Sequence, residues 1–168
     1  MADYILPDVL KKGLSLVFCG TAVGNRSANI RAYYAGRGNK FWKVLHEVGL
    51  TPFELSPYEF EKLSNYGIGL TDLAKHAYGN DFNLINNDFD IKSFQNKVIM
   101  YSPKILAFNG KKAAKIFLGT KEVTYGLYKE KKIGDTVIHI LPSTSGAANK
   151  SWDITFWSDI AAMVKSYQ

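Results

Sequence analysis

Residues 15–31 read SLVFCGTAVGNRSANIR, and this stretch decides the expected fold. The apolar run from Leu14 to Cys19 predicts a buried strand. The run stops at Gly20 and passes through small residues to Gly24, after which the sequence becomes polar and basic. Because glycine lets the main chain approach a ligand closely, the stretch predicts a strand that feeds a ligand-facing loop.

Further strands and amphipathic helices alternate along the chain. Buried strands are predicted over Ile105 to Phe108 and over TVIHIL at 136–141, and a hairpin or irregular region over Tyr125 to Asp135. Helices are predicted from Asn39, after the caps Ser56 and Asp90, over Lys111 to Leu118 and over 152–167. This alternation predicts an α/β fold, a three-layer α/β/α sandwich with a mainly parallel central sheet. No repeat or linker divides the chain, so residues 1–168 are expected to form a single domain.

Composition limits the function classes. The chain carries 21 Lys and Arg against 15 Asp and Glu, a net charge of +6, which favours a polyanionic partner such as nucleic acid. No apolar run approaches the roughly 18 residues that a membrane-spanning helix needs, so no membrane partner is expected. Cys19 is the only cysteine, which excludes an internal disulfide. With no signal-peptide layout at the N-terminus, we expect a cytoplasmic protein.

Three loops follow predicted strands, at Gly20–Gly24, Asn109-Gly110 and Pro142–Asn149. Ligands of parallel sheets bind beyond the carboxyl ends of the strands, so these loops are the candidate site. The first loop lacks the central glycine of a dinucleotide fingerprint, and no P-loop or nucleophile elbow is present. The three histidines lie far apart without companion cysteines, so no metal site and no cofactor are expected.

The motifs, in their order, resemble those of the uracil-DNA glycosylase superfamily, specifically its mismatch-specific uracil/thymine-DNA glycosylase branch. The resemblance covers about Leu16 to Asn149. Its segments are GTAVG at 20–24, NKFWKVLHEVGLTP at 39–52, YGIGLTDLAKH at 66–76, YSPKILAFNGKKA at 101–113 and LPSTSGAAN at 141–149. The resemblance implies a DNA repair enzyme that needs no cofactor, and a monomer is the default expectation. Such an enzyme flips uracil or another deaminated base out of DNA and hydrolyses its N-glycosidic bond, leaving an abasic site.

The resemblance also implies roles for individual residues. Tyr34 lies where the family stacks a ring on the flipped base, and Asn39 either positions the base or only caps a helix. The first loop is expected to face the base through the main chain of Gly20, Thr21, Ala22 and Val23. The terminal loop is expected to contact DNA through Ser143, Thr144, Ser145, Gly146, Ala147, Asn149 and Lys150, with a smaller wedge than is usual. Basic side chains are expected to track the phosphates, at Lys111 and at Arg26, Arg31, Arg37, Lys40 and Lys112.

One departure from the family pattern bears on catalysis. Ala22 stands where the branch normally has an asparagine that positions the attacking water. Either catalysis is lost, leaving a silent binder of DNA or damaged bases, or another polar group has taken over. Asp72 is the preferred replacement, because a carboxylate near the sugar can stabilise positive charge or activate water; Asn25 is a weaker one. The alternatives are that Asp72 only caps a helix over 73–76, or that the chain acts on free nucleosides.

Overall fold

The computed structural model describes residues 3–79 and 88–168. Within these ranges, five strands form one sheet in the order β2-β1-β3-β5-β4. Their bounds are β1 Leu16–Gly20, β2 Ile68–Asp72, β3 Ile105–Asn109, β4 Gly126–Ile133 and β5 Thr136–Leu141. β1 pairs in parallel with β2 and β3, β3 pairs in parallel with β5, and only β4 runs antiparallel, against β5. The α/β fold with a mainly parallel sheet is therefore confirmed.

Helices cover both faces of this sheet. They are α1 Asn25–Ile30, α2 Phe41–Glu47, α3 Ile91–Tyr101, α4 Lys111–Leu118 and α5 Ile154–Ser166, with 3₁₀ helices over Pro57–Tyr66 and Gly146–Ser151. Alternate residues of β1 point to opposite faces, as the pleat requires. Leu16 and Phe18 pack with α2 and α5, whereas Val17 and Cys19 pack with α3 and α4. The three-layer arrangement follows from these two cores.

Several helix boundaries follow from local capping. The Asp90 side chain accepts a hydrogen bond from the Ser93 amide at the start of α3. Ser56 and Glu59 form a capping box at the start of the 3₁₀ helix Pro57–Tyr66. α4 occupies its predicted range. No helix within the two described ranges has both the length and the hydrophobicity to cross a bilayer.

The structure corrects two expectations. The loop after β5 contains a short 3₁₀ helix. The hairpin alternative for the region 125–135 is confirmed, because β4 pairs antiparallel with β5, with a register shift between Tyr128 and Lys132. Asp72 does not cap a helix over 73–76, because it is the last residue of β2 and residues 73–76 are not helical. The capping alternative for this carboxylate is wrong.

Candidate functional site

A cavity of about 790 Å³ opens at the carboxyl ends of the parallel strands. β1, β2 and β3 end there at Gly20, Asp72 and Asn109, and the segment after β5 adds Ser143 and its neighbours. All three predicted loops therefore contribute to one cavity, as the rule for open parallel sheets leads one to expect. The first loop, α1, the segment around Tyr34 and the start of α4 complete its wall.

The first loop is fixed to the chain that follows β2. The carbonyl oxygens of Gly20 and Thr21 accept hydrogen bonds from the amides of Leu73, at 3.0 Å, and Ala74, at 2.8 Å. Further along, the Val23 carbonyl accepts from the Gly79 amide at 3.0 Å. These contacts turn the loop carbonyls toward segment 73–79. The loop itself lines the cavity along its whole length, from Gly20 to Gly24.

Asp72 brings a carboxylate to the floor of the cavity. It is paired with Gly20 in the β1–β2 register and is only 3% exposed. Its Oδ1 lies 2.8 Å from the point that a Cβ on Gly20 would occupy, so glycine at this position makes room for the carboxylate. Its Oδ2 has no hydrogen-bond partner among the described residues, and the nearest cation, Lys75 Nζ, is 3.7 Å away.

The surroundings of Asp72 shift the ionisation of its carboxyl toward neutral pH. Burial raises the pKa of this carboxyl, the Lys75 ammonium lowers it, and the Asp8 carboxylate raises it again, giving a pKa of about 6. A carboxylic acid with this pKa is still about nine-tenths ionised at pH 7. Strongly perturbed groups facing a cavity are typical of functional sites, so Asp72 is the strongest candidate for chemistry in the described part of the chain.

Tyr34 is held in the cavity wall by a tightly bonded segment. The Ala35 amide donates to Ser27 Oγ at 2.9 Å, and Arg26 Nε donates to the Ala35 carbonyl at 2.9 Å. Tyr34 adopts a φ of +52°, which is uncommon for a residue with a side chain. Its ring stacks on Phe41 with a centroid separation of 4.0 Å. The wall therefore presents a fixed aromatic side chain.

The Tyr34 hydroxyl points to the same spot as the Asp72 carboxylate. It is buried without a hydrogen-bond partner in the described ranges, and it lies 3.5 Å from the Cβ point of Gly20. Burial and the nearby Asp72 charge raise the pKa of this hydroxyl, so it stays protonated. Two buried polar groups thus converge over Gly20 with weak internal contacts only, from the Asn109 side chain to the Tyr34 hydroxyl and from Lys75 to the carboxylate. Such an arrangement suits a site that receives a polar ligand.

The other residues predicted around the base differ in their surroundings. Asn39 lines the cavity, and its Oδ1 accepts a hydrogen bond from the Phe41 amide at 3.0 Å. Asn39 therefore bonds the first amide of α2 from the position before the N-cap, which is Lys40, and its contact with a base stays a prediction. Asn25 is exposed at the first position of α1, and half-buried Ala22 lies on the loop beside it. Both line the same cavity as Asp72.

The terminal loop is clamped to β3 and to the start of α2. Asn109 Nδ2 donates to Thr144 Oγ1 at 3.0 Å, and Asn109 Oδ1 accepts from the Thr144 amide at 3.0 Å. The Lys40 amide donates to the Thr144 carbonyl at 2.9 Å. The Ser143 and Ser145 hydroxyls accept hydrogen bonds from amides of the loop itself. Thr144 is therefore an internal anchor, and its neighbours form the cavity rim.

The predicted DNA-contacting residues fall into two groups. Ser143, Thr144, Ser145, Ala147 and Lys111 line the cavity, as do Arg26 and Lys112. Outside the cavity lining lie Gly146, Asn149, Lys150, Arg31, Arg37 and Lys40. Asn149 Oδ1 accepts a hydrogen bond from Lys40 Nζ, which ties the far end of the terminal loop to the chain before α2. Gly146 packs against the main chain at 37–38, so it supports the terminal loop on the side away from the cavity lining.

Sequence reasoning missed the charged residues behind the cavity. Lys75, Asp8, Lys97 and the Tyr33 hydroxyl form a buried network that reaches Asp72. Lys75 follows Asp72 by three residues, which is a usable local signal, whereas nothing local connects Asp8 to this place. Within residues 3–79 and 88–168, no three His, Cys, Asp or Glu side chains come together as a metal site.

Comparisons with known proteins agree with this architecture. The sequence profile of the Uracil DNA glycosylase superfamily matches residues 7–161. The solution NMR structure of a protein from Methanosarcina acetivorans, described as a candidate uracil DNA glycosylase, shares the fold with a TM-score of 0.67. The two are 20% identical, and the match covers 95% of this chain and 96% of the other. On the profile match over nearly its whole length, the chain belongs to the uracil DNA glycosylase superfamily.

Proposed function

We propose that this protein is a DNA repair glycosylase of the mismatch-specific branch. It flips uracil, or a related deaminated base, out of DNA and hydrolyses the N-glycosidic bond, leaving an abasic site. The observation that carries the proposal is the buried Asp72 carboxylate in the lining of the cavity at the ends of the parallel strands, with no hydrogen bond from the described residues to its Oδ2 and only a 3.7 Å ion pair with Lys75. Superfamily membership supports the reaction class.

Base binding comes first. Extracting a base from the stack costs a few kcal/mol, which contacts in a shaped pocket must offset. The Tyr34 ring, already fixed on Phe41, offers the stacking surface. Main-chain amides of the Gly20–Gly24 loop are suited to the oxygens of the departing base, where negative charge develops. A rigid loop serves this role well, because it needs no reorganisation during the reaction.

Bond cleavage then requires a group facing the sugar. As the C1′–N bond breaks, positive charge builds on the deoxyribose. The mostly ionised Asp72 carboxylate stabilises that charge or takes a proton from the attacking water. Ala22 has only a methyl group and cannot orient water, so Asp72 replaces the asparagine that the branch normally carries. Asn25 lines the same cavity but is exposed, so it is the weaker candidate.

DNA backbone contacts complete the proposal. The rim residues Ser143, Ser145 and Ala147 face the solvent side of the cavity, beside Lys111 and Lys112 at the start of α4. Hydroxyls, lysines and helix N-termini are common phosphate ligands. The net charge of +6 is expected to make binding strongly dependent on salt concentration.

The test is single-turnover base excision on labelled oligonucleotides. Duplexes carry uracil opposite guanine or adenine, thymine opposite guanine, or hypoxanthine, with uracil in a single strand as a fifth substrate. Hot alkali converts abasic sites to strand breaks. The wild-type protein should cut at least one substrate, and Asp72→Asn should lower that rate by at least about 100-fold. Asp159→Asn, an exposed change of the same charge on α5, should leave the rate unchanged.

The affinity of Asp72→Asn for the same DNA, read by fluorescence anisotropy, should stay within about 3-fold of wild type. An unchanged excision rate in this variant would remove Asp72 from the mechanism.

A second candidate function is binding without catalysis. The observation that favours it is Ala22, since the side chain that positions water in the branch is missing. Tight binding of damaged DNA with no strand breaks on any of the five substrates would favour this function and refute the glycosylase proposal.

A further inference from the structure

A buried charge network lies behind the floor of the cavity. Lys75 Nζ is 2.9 Å from Asp8 Oδ1 and 3.7 Å from Asp72 Oδ2, and it donates to the Tyr33 hydroxyl at 3.0 Å. Lys97 Nζ is 2.6 Å from Asp8 Oδ2. Lys75 is only 7% exposed, which is rare for a lysine. An ammonium at such a depth needs several partners to offset its desolvation.

The N-terminal segment brings Asp8 to this place. The Val9 amide donates to the Leu70 carbonyl at 2.9 Å, and the Leu70 amide donates back to Val9 at 3.0 Å. The Ile5 amide donates to the Lys75 carbonyl at 2.8 Å. The segment is thus bonded along the outer edge of β2, on both sides of Asp8. These main-chain hydrogen bonds hold the Asp8 carboxylate in contact with the Lys75 ammonium.

The hydrogen bonds determine the protonation of the network. The Tyr33 hydroxyl donates to the Pro7 carbonyl at 3.0 Å, so it accepts from Lys75. Asp8 accepts from Lys75, from Lys97 and from the Thr71 hydroxyl at 2.8 Å. Asp8 is therefore fully paired as a carboxylate. Asp72 lines the cavity and receives only the longer 3.7 Å approach of Lys75 at its Oδ2, an atom that is buried without a hydrogen bond to the described residues.

We propose that Lys75, held in place by Asp8 and Tyr33, is the positioning residue that orients the Asp72 carboxylate toward the cavity and sets its charge state. The inference rests on the proposed function, because it assigns Lys75 a role through Asp72. The N-terminal segment becomes part of the catalytic apparatus by supplying Asp8. Both residues act behind the site, with Asp72 between them and the substrate.

The titratable groups around Asp72 come from every neighbouring element. Lys75 follows it in the chain, and Asp8 lies on the N-terminal segment. The others are Lys97 from α3, Cys19 from β1, and the Tyr33 and Tyr34 hydroxyls. Burial raises the pKa values of the Cys19 thiol and both phenols, so these three groups stay neutral at neutral pH. The charge of Asp72 thus responds to two lysines and one carboxylate.

Removing the charge of Lys75 and removing the charge of Asp8 should shift the pKa of Asp72 in opposite directions. Lys75→Met removes the nearest cation and leaves the Asp8 charge, so the pKa of Asp72 should rise. Asp8→Asn removes a nearby anion and leaves Lys75 and Lys97, so the pKa of Asp72 should fall. A role for Lys75 in folding alone would lower stability in both variants but would not move the protonation of Asp72 in two directions.

The experiment measures the pH dependence of single-turnover excision from pH 4.5 to 8.5. The wild-type rate should rise with pH through a midpoint near 6, the pKa of Asp72. Lys75→Met should move the midpoint up by about one unit, which lowers the rate at pH 6 about 5-fold. Asp8→Asn should move the midpoint to lower pH. Lys43→Met, a change of an exposed lysine on α2, is the matched control and should leave the midpoint unchanged.

A second readout needs no DNA and separates this inference from the glycosylase proposal. The pKa of Asp72 can be measured from the ¹³C chemical shift of its carboxyl, followed by NMR over the same pH range. This pKa should be higher in Lys75→Met and lower in Asp8→Asn than in the wild type. Absence of excision by the wild type refutes the proposed function, whereas midpoints identical to wild type in both variants overturn the role of Lys75. If Lys75→Met does not fold, Asp8→Asn decides alone, and an unmoved Asp72 titration in it refutes the inference.

Discussion

Asp72→Asn is expected to stabilise the protein while it removes activity. Asparagine has the shape of aspartate but carries no charge, so the replacement keeps the packing over Gly20 and eliminates a buried ionisation. Groups placed for catalysis often lower stability, and their replacement then raises it. A carboxylate retained only for its ion pair with Lys75 would behave in the opposite way, because removing it would leave a less well paired buried lysine.

The magnitude follows from the pKa of Asp72. Folding raises this pKa from 3.8 to about 6, so the folded state holds its proton more tightly than the unfolded state. The contribution of the group to stability is therefore lost as pH rises from about 4 to above 6. At pH 7 the carboxyl is mostly ionised in both the folded and the unfolded state, and its raised pKa lowers the free energy of unfolding by about 3 kcal/mol. At pH 4 the same effect is under about 1 kcal/mol. The stability difference between Asp72→Asn and wild type should thus grow by about 2 kcal/mol between these pH values.

The assay is urea unfolding, followed by circular dichroism, at pH 4, 5, 6 and 7. At pH 7 the variant should also melt about 5–10 °C above the wild type, by the usual scaling for a chain of this length. Asp159→Asn controls for the lost negative charge and should give a small difference that does not change with pH in this way. A stability difference for Asp72→Asn that is constant with pH, or that falls as pH rises, would refute the reasoning.

Three further predictions concern the cavity wall. Gly20→Ala should lower excision at least about 10-fold in a folded protein, because its Cβ would lie 2.8 Å from Asp72 Oδ1; an unchanged rate would show that the carboxylate can move freely. Ala22→Asn should raise the single-turnover rate at least about 10-fold by restoring a water-positioning side chain, and a lower rate would contradict the loop geometry proposed here. Asn109→Ala removes both hydrogen bonds to Thr144 and should weaken DNA binding about 10-fold in fluorescence anisotropy, whereas unaltered affinity would separate the terminal loop from the DNA.

The parts of the fold with strong local signals could be predicted from the sequence. Asp90 and the capping box at Ser56 mark helix starts through contacts within three residues, and both were found in the structure. β1 and its glycine loop were recognisable for the same reason. The helix α1 was missed because its six residues have neither a side-chain cap nor an acidic first turn. Its formation depends on the surrounding chain instead.

The site could be predicted only in part. The loops after the strands converge as parallel topology requires, so the place of the cavity could be predicted from the mainly parallel sheet, whereas Tyr34 and Asn39 were identified only through the family resemblance. The alternative roles of Asp72 could not be separated, since only the β1–β2 register places it beside Gly20. The network around Lys75 could not be predicted either, because Thr71 and Asp8 meet across 63 residues of chain. Long-range contacts of this kind leave no periodic trace in the sequence.

The most direct test of the central claim is a crystal structure of Asp72→Asn bound to a duplex that contains an intact deaminated base. The account predicts the flipped base between Tyr34 and the Gly20–Gly24 loop, with the side chain at position 72 within about 4 Å of C1′, close enough to act on the bond. A base bound outside this cavity, or a side chain at position 72 separated from the sugar by other protein atoms, would contradict it.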